Sequence, residues 1–501
     1  MSQDITKIGV VGCGTMGSGI AQIAASNGND VVFVEVDDDA VQRGRDRIAE
    51  ALDRLVGKDK MSQAERDAIL GRIHGTTDYE RLSDRHLVIE AVPETLELKQ
   101  KVFEQIDAVV GDDAIIATNT SSLPVTDVAT RTRRPNRVLG FHFFNPAPVM
   151  ELIELVRTFV TDDDVVTAAR GFAEALGKTP VVVGDRAGFI ANQLLFPYIN
   201  QAISLVESGY ATKEDVDAAM RFGTGHPMGP IALADLVGLD TMLGIMNAIH
   251  SQFQDTRFAP RPILSQLVSA GYKGRKSGRG FYDYEGAGAA EAGDKADPAT
   301  IASWQRIGIL GTGTMAIGMT EVCAKAGYDV VVRGRSKEKA EQVAAAVSKS
   351  MQRMVDKGRL AEEDLVATLA RIHPTHDIAD FEGCDLVIEA VAEELAVKTA
   401  LFEEVDAVVA DGTVLATTTS SLPVIECAMA TSRPDRVIGL HFFNPANIMK
   451  LVEIIPTVRT ADEVLQASRA FVDHVGKVGV LCGDRAGFIV NALLFPYLNN
   501  A

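Results

Sequence analysis

Residues 7–17 of the chain, KIGVVGCGTMG, decide its fold. The apolar run at residues 8–11 is typical of a buried strand, and residues 16–27 predict a helix. The GxGxxG turn between them lets a pyrophosphate approach the backbone, and free N–H groups at the helix start bind its oxygens. This context predicts a Rossmann-type fold with a dinucleotide site formed by Gly12, Gly14, Thr15, Met16 and Gly17.

An acidic side chain follows the second predicted strand, which occupies residues 31–34. Glu35 lies about twenty residues beyond the glycine turn, where a carboxylate accepts hydrogen bonds from both hydroxyls of an adenosine ribose. A carboxylate at this position favours NAD over NADP. A solvated side chain beside the acidic run at residues 37–39 is the alternative interpretation.

The whole unit occurs twice in the chain. Gly12 recurs as Gly311, Ser121 as Ser420 and His142 as His441, and the offset is 299 residues in each case. A solenoid repeat would have a period of only about 20–50 residues, so this pattern indicates duplication of a complete folded unit.

Strands that alternate with helices predict an α/β fold in each copy, with a mostly parallel, doubly wound sheet. Residues 38–75 are charged and predict a long helical excursion, and residues 285–302 are rich in glycine, alanine and acidic residues. We therefore predict a Rossmann domain at 1–186, an all-helical domain at 187–284, a linker at 285–302, a second Rossmann domain at 303–485, and the start of a truncated second helical domain at 486–501.

The second copy differs from the first at its nucleotide site. Ala316 replaces Gly17, and Gly334 replaces Glu35 between two arginines. Losing a carboxylate and gaining guanidinium groups suits the 2′-phosphate of NADP. We predict NAD for the first copy and either NAD or NADP for the second, held by Gly311, Gly313, Thr314, Met315, Arg333 and Arg335.

Composition excludes several classes of protein. Hydrophobic residues make up 47% of the chain, enough for large buried cores, and the formal net charge of −19 disfavours binding to nucleic acid or to anionic membranes. The five cysteines form no CxxC pair, which is typical of reduced thiols, and no ligand cluster suggests a metal. With no signal sequence before the first strand, we expect a soluble, cytoplasmic protein.

The most specific motifs are NTSSL at 119–123, GFHFFNPAPVM at 140–150, GFIAN at 188–192, HPMGP at 226–230 and KSGRGFY at 276–282. Together they resemble the 3-hydroxyacyl-CoA dehydrogenase family, which includes the 3-hydroxybutyryl-CoA dehydrogenases, over nearly the whole chain. The resemblance implies reversible, NAD-dependent oxidation of an (S)-3-hydroxyacyl-CoA, such as 3-hydroxybutyryl-CoA. It also implies pairing through the helical domain, either as a homodimer or between the two copies within one chain.

The resemblance implies a catalytic quartet in each copy. Histidine titrates near neutrality, so it can take the hydroxyl proton and return it, while a glutamate fixes its tautomer. Serine and asparagine offer donors to the alkoxide and the thioester carbonyl. The motifs place these roles on His142, Glu154, Ser121 and Asn192, and on His441, Glu453, Ser420 and Asn491 in the second copy. Cofactor contacts extend to Glu94 and to Asn119, whose counterpart is Thr418.

Each quartet residue also has a structural interpretation. A histidine among phenylalanines is often a satisfied core residue, Glu154 could face solvent, and Ser121 or Asn192 could cap a helix. Their joint order, spacing and repetition favour catalysis.

Three alternatives concern the substrate and the second copy. Lys58 and Lys60, matched by Lys357 and Arg359, are candidates for contacting CoA phosphates, although such residues usually lie on a solvated helix surface. The substrate could instead be a 3-hydroxy acid without CoA. The second copy could be a non-catalytic cofactor-binding module, because its helical domain is truncated.

Overall fold

The computed structural model describes residues 5–284 and 304–501. The predicted linker at 285–302 lies outside the described residues.

The first sheet contains eight strands: β1 Lys7–Val11, β2 Asp30–Val34, β3 Ile73–Thr76, β4 Leu87–Glu90, β5 Ile115–Thr118, β6 Val138–Phe143, β7 Leu152–Arg157 and β8 Thr179–Gly184. Their order is β3-β2-β1-β4-β5-β6-β7-β8. All neighbouring strands are parallel except β6 and β7, which pair antiparallel. This is the predicted doubly wound, mostly parallel sheet.

Helices cover both faces of this sheet: α1 Thr15–Ser26, α2 Asp38–Val56, α3 Gln63–Leu70, α4 Leu96–Val109, α5 Val125–Ala129 and α6 Asp163–Ala175. Successive side chains of a strand point to opposite faces. Val10 of β1 therefore packs in one core with Ile20 of α1, whereas Val11 packs in the other core with Phe103 of α4.

The predicted helical excursion at 38–75 is more varied than expected. It consists of α2, a turn, α3 and then the edge strand β3. The sequence pattern did not indicate this strand because His74 and Gly75 break its apolar run, and only Ile73 is buried. Backbone pairing of β3 with β2 stabilises this strand, because its own residues provide little apolar burial.

A helical region follows: α7 Ala191–Glu207, α8 Lys213–Thr224, α9 Pro230–Val237, α10 Leu239–Phe253 and α11 Pro262–Ser269. Short 3₁₀ turns occur at Tyr79–Leu82, Pro135–Arg137, Thr256–Phe258, Arg275–Ser277, Ile378–Phe381 and Pro434–Arg436. Among the described residues no single helix has the length and apolarity to cross a membrane, while α9 and α10 meet that test only jointly, as a bent pair.

The second sheet repeats the first: β9 Arg306–Leu310, β10 Asp329–Arg333, β11 Ile372–Thr375, β12 Leu386–Glu389, β13 Val414–Thr417, β14 Val437–Phe442, β15 Leu451–Pro456 and β16 Val478–Leu481. Its order is β11-β10-β9-β12-β13-β14-β15-β16, with β14 and β15 antiparallel. Its helices are α12 Thr314–Lys325, α13 Lys337–Asp356, α14 Glu362–Leu369, α15 Leu395–Asp406, α16 Val424–Met429, α17 Asp462–His474 and α18 Val490–Asn500.

The described residues form two compact units, one within 1–195 and 244–259 and the other within 196–243 and 260–501. Within the second unit, α8 packs against β15 and β16. The Tyr210 hydroxyl donates a 2.7 Å hydrogen bond to the carbonyl of Gly483, and the Arg485 guanidinium lies 4.8 Å from the Tyr210 ring centroid. The second sheet thus carries a helical layer that comes from earlier in the chain.

Candidate active site

A buried histidine–glutamate pair occupies the point where the first sheet reverses direction. His142 of β6 lies directly opposite Glu154 of β7 in the antiparallel register. Residues opposite each other in such a pair present their side chains on the same face, about 5 Å apart. The distance from His142 Nδ1 to Glu154 Oε2 is 2.8 Å, and the two residues are 5% and 1% exposed.

The second carboxylate oxygen of Glu154 is held by the segment that starts α7. Oε1 accepts hydrogen bonds from the backbone N–H groups of Ile190 at 3.0 Å and Ala191 at 2.9 Å. Burial raises the pKa of Glu154, but the hydrogen bonds from His142 and from these two amides outweigh it and hold the pKa below its ordinary value. The carboxylate is therefore ionised at neutral pH.

The structure brings Ser121 and Asn192 together. The Asn192 side-chain amide donates to the carbonyl oxygen of Ser121 at 3.3 Å. The His142 ring packs between Phe144 and Phe189, with centroids 4.6 and 5.5 Å away. These aromatic rings contact the imidazole that Glu154 holds by its hydrogen bond.

Glu94 organises the turn that carries Ser121. Its Oε1 accepts from the backbone N–H groups of Ser121 and Ser122 and from the Thr120 hydroxyl. Burial raises the pKa of Glu94, but the Lys99 ammonium and these hydrogen bonds lower it below its ordinary value. The carboxylate predicted to contact the cofactor is thus engaged in shaping the serine turn.

A buried ion pair that the sequence interpretation did not include supports this turn. Lys99 Nζ lies 2.8 Å from Glu90 Oε1, with both side chains 1% exposed or less, and 3.2 Å from Glu94. The Thr118 hydroxyl donates to the other Glu90 oxygen at 2.7 Å. A glutamate inside an apolar strand, followed by a lysine nine residues later in both copies, was the available signal.

The glycine turn has the geometry that a dinucleotide requires. Gly12 has a φ of 89°, and a Cβ on Gly17 would lie 1.8 Å from the Gly12 carbonyl oxygen. Glu35 Oε1 accepts a 2.5 Å hydrogen bond from the Cys13 amide, which places its carboxylate beside the turn. Asn119 directly follows β5, and its side chain accepts from the Phe143 amide of β6 at 2.9 Å. These residues fit a bound NAD.

The second copy reproduces the pair, and its histidine lines a cavity. His441 Nδ1 lies 2.6 Å from Glu453 Oε2, and Oε1 accepts from the amides of Ile489 and Val490. A cavity of about 420 Å³ brings the glycine turn together with three quartet residues and is lined by, among others, Gly313, Thr314, Met315, Thr418, Ser420, His441 and Asn491.

The nucleotide turn of the second copy accommodates a side chain that the first cannot. Ala316 is fully buried, and Gly311 has a φ of 132°, whereas Gly12 has 89°. Arg333 is engaged by Glu404, with Nη2–Oε1 and Nη1–Oε2 distances of 2.8 and 3.3 Å. Arg335 is exposed.

The lysines predicted to contact CoA lie outside the contacts that build the site. Lys58 and Lys60 are exposed in the turn between α2 and α3, and Lys357 and Arg359 are exposed in the matching turn. Their role stays a prediction.

Two family models match nearly the whole chain. The model for the NAD-binding domain of 3-hydroxyacyl-CoA dehydrogenase matches residues 7–186 and again 306–485, and the model for the C-terminal domain matches 188–284. The chain belongs to the 3-hydroxyacyl-CoA dehydrogenase family. It is an oxidoreductase that binds NAD.

The chain is also similar in sequence and structure to individual dehydrogenases of this family. A 3-hydroxybutyryl-CoA dehydrogenase of Mycobacterium tuberculosis is 49% identical over 286 residues, which cover 57% of this chain and 100% of the relative. The mitochondrial hydroxyacyl-coenzyme A dehydrogenase of Sus scrofa is 40% identical, covering 56% and 92%. The crystal structure of 3-hydroxybutyryl-CoA dehydrogenase from Escherichia coli K12 has a TM-score of 0.69 and 26% identity, covering 99% of this dehydrogenase and 84% of that chain.

The lowered pKa of Glu154 makes the stability of this dehydrogenase depend on pH. A glutamate with a depressed folded-state pKa stabilises the fold above its ordinary value of about 4.3, and this contribution disappears as the pH falls through the folded pKa. We expect Glu154→Gln to be less stable than the parent at neutral pH and to lose less stability on acidification. Urea unfolding followed by circular dichroism at a series of pH values measures this, with the exposed Glu151→Gln as control. Parallel acid profiles for parent and Glu154→Gln would contradict the assignment.

Proposed function

We propose that the first copy catalyses reversible oxidation of (S)-3-hydroxyacyl-CoA to 3-ketoacyl-CoA, with 3-hydroxybutyryl-CoA as a substrate. The observation that carries this proposal is the buried His142–Glu154 pair, in the same sheet as the strand that leads into an NAD-type glycine turn. The names of the bacterial relatives support the short acyl chain.

In this proposal His142 exchanges the proton through Nε2. Its Nδ1 is occupied by the ionised Glu154, which selects the tautomer with a proton on Nδ1 and a lone pair on Nε2. In the oxidation direction Nε2 takes the proton of the 3-hydroxyl group. An NAD held by the glycine turn and Glu35 would supply the hydride acceptor for the carbon that bears this hydroxyl. The imidazolium that forms is stabilised by the adjacent carboxylate, and reduction reverses both transfers.

Ser121 and Asn192 would supply uncharged donors to the substrate oxygens. Their mutual contact at 3.3 Å holds the serine turn next to the start of α7. Donors fixed in this way stabilise a developing alkoxide, and removing one typically lowers the rate by about a hundredfold or more.

We propose that the second copy is also catalytic, as opposed to a module that only binds cofactor. Three observations support this: the intact His441–Glu453 pair, the cavity that joins it to the glycine turn, and the packing of α8 on β15 and β16. A Cβ on Gly223 of α8 would meet Leu451 and Val490, so this helix lies close to the second site. The residues of α8 would thus provide a helical wall for the second site. Pairing of chains through helical residues stays a prediction.

Histidine variants of the full chain test the proposed chemistry. Reduction of acetoacetyl-CoA should be at least about 100-fold slower in the double variant His142→Ala/His441→Ala, because neither copy then has an imidazolium to donate the proton to the 3-keto oxygen. Each single variant should keep the activity of the other copy. Absorbance at the nicotinamide band, recorded separately with NADH and NADPH, measures the rates.

The same assay separates the alternatives. Turnover of free acetoacetate without turnover of its CoA thioester would select a dehydrogenase of non-CoA acids. Unchanged rates in His441→Ala with both cofactors would show a silent second copy. Full activity in the double variant would contradict the proposed mechanism.

Loss of the two exposed lysines tests CoA recognition. We expect Lys58→Ala/Lys60→Ala to raise KM for acetoacetyl-CoA in the first copy about tenfold at unchanged kcat. The reason is that the variant loses the charge-assisted hydrogen bonds from the two ammonium groups to the phosphates of CoA. A pantetheine thioester, which lacks those phosphates, should show no change. Arg45→Ala removes a charge from the exposed surface of α2 and is the matched control. An equal effect on both thioesters would refute a phosphate contact.

A further inference from the structure

The two nucleotide sites carry opposite charge where the ribose would bind. Residues 35–40 of the first copy read EVDDDA, and residues 334–339 of the second read GRSKEK, so the formal charges are −4 and +2. Both segments join the second strand of their sheet to the following helix, β2 to α2 and β10 to α13. Both strands pair in the same register with the strand that precedes the glycine turn. The two segments therefore occupy matching places in the two sheets.

In the first copy the carboxylates of this segment accept hydrogen bonds and repel phosphate. Glu35 is anchored beside the turn by the Cys13 amide, and Asp37 caps α2 by accepting from the Ala40 amide. Carboxylates in these places suit the free ribose hydroxyls of NAD and disfavour a 2′-phosphate.

In the second copy no carboxylate can occupy the matching position. A Cβ on Gly334 would lie 2.7 Å from the Ala340 amide nitrogen and 2.9 Å from the Ser336 carbonyl oxygen, so the site is reserved for glycine. Gly334 lines a cavity of about 910 Å³ that extends from the glycine turn at Gly311 and Gly313 to Arg333 and Arg335. This cavity borders Gly334, the position at which the first copy has the carboxylate of Glu35.

The two arginines of this cavity have different roles. Arg333 is held by Glu404, and the first copy has Val34 and Gln105 at those positions, so the pair belongs to the second copy alone. Arg335 is exposed and follows Gly334 directly, next to the hydroxyl of Ser336. The single acid of the segment, Glu338, accepts a hydrogen bond from Ser336, which lowers the pKa of Glu338.

We propose that the second nucleotide site selects NADP(H), with Arg335 as the main ligand of the 2′-phosphate and Ser336 beside it, while the first site selects NAD(H). A guanidinium binds phosphate through paired, charge-assisted hydrogen bonds, which are the strongest that proteins make to an anion. Arg333 forms the wall of the cavity and is restrained by Glu404.

Two sites with different cofactors would let the whole chain couple two reactions, an inference that rests on the proposed function of both copies. One copy reduces a 3-ketoacyl-CoA with NADH and releases NAD⁺, and the other oxidises the 3-hydroxyacyl-CoA product with NADP⁺ and forms NADPH. The acyl-CoA is regenerated, the protons taken up and released cancel, and the sum is NADH plus NADP⁺ giving NAD⁺ plus NADPH. The tandem chain therefore exchanges hydride between the two nicotinamide pools through its substrate.

Calorimetric titration of the full chain tests the selectivity without turnover. We expect NADPH to bind at one site per chain and to remain bound at saturating NADH. Arg335→Ala should weaken NADPH binding about tenfold or more and leave NADH binding unchanged, because it removes only the phosphate contact. Arg353→Ala, an equal loss of charge in the last turn of α13, should change neither.

Several outcomes would overturn the proposal. Displacement of all NADPH by NADH, absence of a site for NADPH, or equal weakening of both cofactors by Arg335→Ala would each refute selection by this arginine. The double variant His142→Ala/His441→Ala should still bind NADPH, so failure of the catalytic proposal is distinguishable from failure of this one.

The exchange of hydride is tested by mixing the chain with NADH, NADP⁺ and a trace of acetoacetyl-CoA. We expect NADPH to form with the parent chain and not with Arg335→Ala. Absence of NADPH from the parent chain would refute it.

Discussion

The structure depends on burying an ionised carboxylate between two strands. Glu154 is 1% exposed, and an unpaired charge at such a place would cost several kcal/mol. The cost is offset because both oxygens are satisfied, one by His142 and the other by two amides at the start of α7. The same three contacts fix the imidazole and connect β6, β7 and the helical segment that carries Asn192. A single buried charge thus aligns most of the site.

The reversal of strand direction at β7 is what makes this arrangement available. In a parallel pair the next strand would be reached through a crossover, whereas the antiparallel pairing sets residues 142 and 154 directly opposite each other. The second copy repeats the register with His441 and Glu453. Between the copies the buried pair is unchanged, whereas the nucleotide site differs, with Gly334 in place of Glu35. This replacement alters which cofactor the site prefers, while the histidine–glutamate pair for proton transfer is preserved.

Much of the fold could be predicted from the sequence because its signals are local. The GxGxxG turn and the apolar runs placed β1, α1 and β2, and the motif order placed the quartet, whose residues the structure brings together in pairs. Strand β3 could not be predicted, since its stability comes from pairing with β2 and its own residues are mostly polar or small. Contacts between residues far apart in the sequence could not be predicted either. The Glu404 partner of Arg333 lies 71 residues away, and the contact of Tyr210 with Gly483 spans 273 residues.

The central claim is that Glu154 keeps a proton on Nδ1 of His142 and leaves Nε2 free to act as the base. Nitrogen-15 NMR of the chain with labelled histidines, assigned by the signals that vanish in His142→Gln, reads the tautomer directly. The account predicts that the neutral ring of His142 carries its proton on Nδ1 and a lone pair on Nε2. A proton on Nε2 of the neutral ring would contradict it.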